Sequence, residues 1–246
     1  MIDSTSHRTQ VLDRLARYIA AAAPTHPLRV GIDGRTAAGK TSIANELVAP
    51  LEQLGRTVIR VEIDEFHRPL GVRRGRKELP PWQQYYLDSY DYASVRNDVL
   101  VPLGPGGNRR YRRAIFDSVH DTAIDDPPLL AQPDAVVLVD GVFLFRPELD
   151  DLWDLRIVID VDAEDSLRRG PRRDLAWMDS IAAAEAKYHS TYIPGEDHYD
   201  ALVKPNLRAD VVVDNRNLME PRLNFRTDLP AEPQCEPVNG DTFPKP

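Results

Sequence analysis

The chain has 246 residues, 42% of them hydrophobic, enough to bury a sizeable core and a common length for one α/β domain. Its formal net charge of −8 argues against general affinity for nucleic acid or anionic lipid, which takes a broad basic surface, so any anion site has to be local. One cysteine, Cys235, excludes an internal disulfide framework. With no charged-then-apolar leader and no apolar run of about 18 residues, the cytoplasm is the expected compartment and neither a membrane nor nucleic acid an expected partner.

Residues 4–23 open with the capping types Ser4 and Thr5 and carry Val11, Leu12, Leu15, Tyr18, Ile19 and Ala22 at helical spacing, an amphipathic helix closed by Pro24 and Pro27. Residues 28–33 read as a strand feeding a glycine loop, with a helix from about Lys40 to Leu54 and a second strand from Thr57 to Ile63 that ends at Asp64. Together these make a right-handed βαβ unit. Residues 65–134 change character, rich in arginine, proline, tyrosine and glycine, with one helical stretch near Tyr92–Leu103; this reads as an elaboration bearing substrate contacts. The runs 135–139 and 155–161 have the continuous apolar character of strands covered on both faces. A helical segment around 175–192 and a strand at 210–213 follow. Five strands alternating with helices predict an α/β protein with an open, mostly parallel sheet and helices on both faces. One domain over 1–227 is expected, followed by a proline-rich, loosely ordered tail at 228–246.

The run Gly34-Arg35-Thr36-Ala37-Ala38-Gly39-Lys40-Thr41, continued by Ser42, fits the phosphate-loop pattern G-x-x-x-x-G-K-[ST]. Its glycines let backbone N–H groups turn inward around phosphate oxygens, and the following helix adds its positive end. Lys40 would reach the β- and γ-phosphates, and the Thr41 hydroxyl would bind magnesium. The expected cofactors are thus ATP or GTP with Mg2+.

Ligands of such sheets lie beyond the carboxyl ends of the strands. Asp64 and Asp140 stand there: Asp64 is the candidate base and metal contact, Asp140 the candidate second-strand metal contact. Arg168, Arg169, Arg172 and Arg173 form a cluster that reads either as a phosphate-clamping lid over about 163–178 or as a solvated helix face paired with nearby acids. Two further clusters, 68–77 and 109–113, read as an acceptor-side wall or as loop decoration. His67 reads as an acceptor contact or a plain surface histidine.

In its phosphate loop, Ile63-Asp64-Glu65-Phe66-His67, Val139-Asp140-Gly141-Val142-Phe143, the stretch from Asp162-Ala163-Glu164 to Arg173-Asp174, and Ala209-Asp210-Val211-Val212-Val213, the chain resembles the uridine kinase family, within the wider group of phosphoribulokinase and pantothenate kinase. The likeness covers most of residues 28–215. It implies a P-loop NTPase fold with an arginine-bearing lid and ATP- or GTP-dependent phosphorylation of a nucleoside 5′-hydroxyl. Asp64 matches the family's general base, Arg169 and Arg173 best match its lid arginines, Asp91 its ribose-holding acid and Tyr111 its base-side tyrosine. His67 stands where the family usually has an aromatic residue, and Asp140 where a glutamate often ends the middle strand. The acceptor is expected to be a small molecule, a nucleoside first, with pantothenate, nicotinamide riboside or a sugar phosphate as alternatives and a regulatory ATPase without an acceptor as the rival class. A homo-oligomer is compatible with the sequence.

Overall fold

The computed structural model describes residues 6–226. The tail at 228–246 and the capping types Ser4 and Thr5 lie outside them. The first helix, α1 (His7–Ala21), is capped by Ser6, whose side chain accepts the Thr9 N–H. Strand β1 (Leu28–Gly34) leads through the glycine loop into α2 (Lys40–Glu46) and α3 (Val48–Gln53), and β2 (Val58–Glu62) follows. The expected single helix over 40–54 is broken at Leu47 because Pro50 has no N–H for the Glu46 carbonyl and its ring crowds that turn.

The elaboration holds three short helices, α4 (Leu70–Arg73), α5 (Pro81–Asp88) and α6 (Tyr92–Val95). Two small antiparallel ribbons complete it: β3 (Arg110–Tyr111) with β6 (Leu129–Leu130), and β4 (Phe116–Asp117) with β5 (Thr122–Ala123). After β7 (Val136–Asp140) and β8 (Leu155–Asp160) come α7 (Ala163–Asp174), α8 (Ile181–Lys187), α9 (Ile193–Val203), α10 (Pro205–Arg208), β9 (Val211–Asp214) and β10 (Arg222–Phe225).

The main sheet runs β10-β9-β8-β1-β7-β2. All five expected strands pair in parallel, and β10 adds an antiparallel edge. That sixth strand escapes a reading by apolar runs because Arg222-Leu223-Asn224-Phe225 is only half covered; α1 closes over it, with Tyr18 4.8 Å from the Phe225 ring and Arg14 stacked on the same ring. Each face of the sheet has its own apolar core. One joins Leu15 and Ile19 of α1 to Ile43, Leu47 and Leu51 and to the sheet residues Val30 and Ile32. Each such side chain contributes roughly 1.5–3 kcal/mol by leaving water. The other core joins the elaboration to the opposite sheet face, through Phe66, Tyr92, Val99, Phe143 and Phe145. β1 lies between β7 and β8; the chain first runs out to β2 on one side and later returns through β7 to build β8 and β9 on the other, so a crevice opens beyond the carboxyl end of β1. No helix among the described residues is long and apolar enough to cross a membrane.

Candidate active site

The loop after β1 is shaped by residues with left-handed backbone. Ala37 has φ 61° and Gly39 φ 97°, with Thr36 and Ala38 absent from the positive-φ residues, the kind of alternation that turns successive N–H groups into one concavity. Gly39 also begins α2, and a Cβ there would stand 2.7 Å from the Asn215 amide nitrogen, so no other residue fits. Lys40 is buried and folds back so that its ammonium donates to the Arg35 carbonyl at 2.8 Å. Burial pushes its pKa down; the carboxylates of Glu196, Asp33, Asp140 and Asp64 oppose that.

The Thr41 hydroxyl donates to one oxygen of the buried Asp140 at 2.5 Å, and Arg60 donates to the other at 2.6 Å. β1 and β2 flank β7 with Asp140 beside Ile32 and Glu62, which sets this carboxylate next to the loop. Asp64, on the single turn Ile63–Phe66 after β2, is exposed and accepts the Tyr90 hydroxyl at 2.9 Å. Thr36, Ala37, Lys40, Thr41, Asp64, Asp140, His67 and Arg173 all line one cavity of about 1140 Å³. His67 stacks on Tyr90 with ring centroids 4.6 Å apart. Burial lowers its pKa, against the pull of Asp64.

Four of the expected residues have side chains directed elsewhere than this cavity. Asp91 is not on the cavity wall: it is the N-cap of α6, accepting the Ser94 N–H and the Ser94 hydroxyl, both at 3.1 Å. Tyr111 is 3% exposed and packs within the core of the elaboration, while its neighbour Arg110 pairs with Leu130 in the ribbon. Arg169 is also off the cavity; its guanidinium is tied to Asp165 and to the Arg216 carbonyl at 2.7 Å. The Arg35 side chain points out of the loop to Asp197 and Asp200 on α9, leaving only its backbone for a phosphate. Arg173 does line the cavity, with Nε donating to Asp174 at 2.7 Å. Its helix, α7, passes through Gly170 and Pro171 unbroken.

Three residues that motif reasoning missed hold the loop from outside. The Asn215 amide donates to the Ala38 carbonyl at 2.7 Å, the Ser166 hydroxyl to the Thr36 carbonyl at 2.5 Å, and a Glu196 oxygen accepts the Thr36 N–H at 2.8 Å. Within a planar trans peptide the carbonyl and the next N–H point opposite ways. Pinning Ala38 and Thr36 outward therefore turns the N–H groups of Gly39 and Ala37 inward. Glu196 is 2% exposed, and burial pushes its carboxyl up, opposed by its bonds from Thr36 and by Lys40 and Arg35. Beneath the loop, Asp33 accepts from Tyr199 and from the Gly34 N–H; burial pushes it up to about 6 despite those bonds and Lys40. Only Asn215, one residue past the last parallel strand, carried a positional signal.

No family model matches the chain. It is 27% identical over 190 residues to uridine-cytidine kinase B of Dictyostelium discoideum, covering 76% of this chain and 74% of that protein. It is 29% identical over 198 residues to a uridine kinase of Leuconostoc citreum, covering 76% and 87%. Other relatives are longer, and the chain matches only 30% of one and 38% of another. Among solved structures, a protein described as a possible uridine kinase from Bacillus stearothermophilus superposes with TM-score 0.67 at 23% identity, over 83% of this chain and 98% of that one.

Proposed function

We propose, for a chain of the uridine kinase-like family of P-loop phosphotransferases, that it transfers the γ-phosphoryl group of ATP or GTP to the hydroxyl of a small alcohol, for which the family likeness favours a nucleoside 5′-hydroxyl. The observation that carries this reading is the convergence of Lys40, the Thr41–Asp140 pair and the exposed Asp64 on one cavity. Lys40 and the inward N–H groups of the loop hold the phosphates. Asp64 takes the proton of the acceptor hydroxyl as its oxygen bonds to the γ-phosphorus, and the bond to the bridging oxygen breaks to release the nucleoside diphosphate. The Tyr90 hydroxyl keeps Asp64 oriented by donating to one oxygen, so the other is free to accept the proton. Arg173 faces the charge that develops on the transferring group. Thr41, Asp140 and Asp64 are an all-oxygen donor set of the kind magnesium takes, alongside phosphate oxygens and water. When bound, the ion would neutralise charge on the β- and γ-phosphates.

A specific observation favours widening the acceptor class: the two side chains assigned by likeness to the sugar and the base, Asp91 and Tyr111, are a helix cap and a core residue. An alcohol other than a nucleoside is the second reading. The decisive experiment is ADP release, with magnesium and a panel of alcohols, by the wild type and Asp64→Asn. The variant is expected to lose about 10²–10⁴-fold in turnover while its ATP affinity stays within a few-fold. Unchanged turnover removes Asp64 from the mechanism, and ADP release indifferent to every alcohol favours the regulatory ATPase.

A further inference from the structure

We propose that the acceptor alcohol carries an anionic group, a carboxylate or a phosphate, held by Arg73, Arg74, Lys77 and Lys187 on the cavity wall that the elaboration and α8 supply. The inference rests on the kinase reading above and names the substrate class of that site.

The ionisable lining of the cavity divides by origin. The loop and strand ends contribute Lys40, Asp64, Asp140 and Glu62, and α7 contributes Arg173. Those groups suffice for a magnesium–triphosphate donor. The remaining four cations are surplus to it, in a chain whose net charge is −8, and they are poorly compensated by the protein. Arg73 has its Nε buried without a hydrogen-bond partner, and Asp121 stands 3.9 Å from its other end. Lys187 lies over the faces of Trp177 and Tyr192, at 4.6 and 5.0 Å, where aromatic rings rather than a carboxylate hold it. Burial, with Arg74 and Arg73 close by, lowers its pKa against the pull of Asp174, as expected of like charges gathered at a partly dry wall. Among the described residues Arg74 and Lys77 form no ion pair; both are exposed at the cavity rim.

A neutral nucleoside would leave Arg74 and Lys77 without a carboxylate partner, Arg73 with only its long contact to Asp121, and Lys187 with only aromatic faces. An anion on the acceptor satisfies them, and the forked Arg73 and Arg74 guanidiniums suit the two or three oxygens of a carboxylate or phosphate. Asp64 and His67 line the same cavity as these cations, so an anion held by them shares that space with the proposed base. Tyr85, Tyr90, Leu79 and Trp177 complete the wall for the uncharged part of the molecule. The anion orients the alcohol and takes no part in the chemistry: the hydroxyl proton goes to Asp64, and the new bond to the γ-phosphorus replaces the one to the leaving nucleoside diphosphate.

The test is ADP release by the full chain on matched alcohols that differ in the anion: ribose against ribose 5-phosphate, pantothenol against pantothenate, glycerol against glycerate, with uridine and cytidine alongside. The anionic member of at least one pair is expected to exceed its neutral partner at least tenfold in kcat/KM, and the pair that responds tells phosphate from carboxylate. Arg74→Gln and Lys187→Gln should raise the KM of that acceptor at least tenfold with the KM for ATP within twofold. Uridine, cytidine or another neutral alcohol turning over best overturns the inference and leaves the kinase reading intact; so does a shift confined to the KM for ATP, which would assign the cations to the donor. If no alcohol promotes ADP release, the kinase reading fails. The anion site is then decided separately by titrating inorganic phosphate against tryptophan fluorescence at saturating ADP and magnesium, with Trp177→Phe to identify the reporting ring. A saturable signal at least tenfold weaker in Lys187→Gln is expected, and no saturable signal overturns the proposal.

Discussion

Where the cavity meets the phosphate loop, Thr36, Ala37, Lys40, Thr41 and two strand ends line it; across from them, the wall is gathered from α4, the turn at Ser89 and Tyr90, and the α8–α9 junction. The first region is dry and braced. Lys40, Asp140, Glu196, Ser166 and Asn215 are all buried, and each has a hydrogen-bond partner within the loop or just outside it. The second is wetter and less neutralised, with Arg74 and Lys77 exposed and Arg73 incompletely partnered. The contrast fits the two jobs. On the proposed reading, a triphosphate rewards a cradle preset before it arrives, whereas the wall across from it meets the acceptor.

The contrast can be broken most strongly at Asp33. Its pKa rises from 3.8 to about 6 on folding, so the folded state holds the proton more tightly than the unfolded chain. The associated stability is present below about pH 4 and lost as pH rises through 6, roughly 3 kcal/mol in all at 1.36 kcal/mol per unit. Denaturant unfolding of the wild type and Asp33→Asn at pH 4 and pH 7 should show the wild type losing ground to the variant by an amount of that order. Equal pH dependence in the two proteins would mean that water reaches Asp33 and that the donor region is not dry.

A smaller effect is expected from Asn215→Ala. Without its amide the Ala38 peptide is free to turn, and the Gly39 N–H no longer aims at phosphate. ATP binding should weaken about tenfold, which is about 1.4 kcal/mol, with the KM of the acceptor within twofold, as measured by calorimetry with ATP and by steady-state kinetics. A loss shared equally by donor and acceptor would show that the brace serves the whole cavity. Smallest of all is Asp91→Ala. As a helix cap its removal should cost about 1 kcal/mol of stability and leave the KM of the acceptor unchanged within twofold. A tenfold rise in that KM, with stability unaltered, would return Asp91 to the acceptor site.

Residues alike in sequence thus have different fates. Asp64 and Asp91 both match carboxylates in the likeness to kinases, yet only Asp64 is exposed on the cavity. Asp91 begins Asp91-Tyr92-Ala93-Ser94, and a side chain that can cap the helix it precedes satisfies its own backbone first. Arg169 and Arg173 lie four apart on α7, but Arg169 is held by Asp165 and the chain after β9 while Arg173 reaches the cavity. The four cations proposed to hold the acceptor come from segments more than a hundred residues apart, Arg73 and Lys187 among them, so no local pattern announces that they meet.

What the amino-acid sequence determined by itself was local: the phosphate loop, whose glycines and lysine act on a ligand through neighbouring backbone, and the continuous apolar strands, whose burial on both faces needs no knowledge of partners. Strand-end carboxylates followed from the same logic, since the end of a parallel strand is already a place relative to the ligand. Tertiary structure alone decided which polar groups brace that loop, which arginine faces the cavity, and how four cations from the elaboration and α8 come to share one wall. Those depend on packing between distant segments, and a side chain's role there is set by what the fold brings within hydrogen-bonding reach of it.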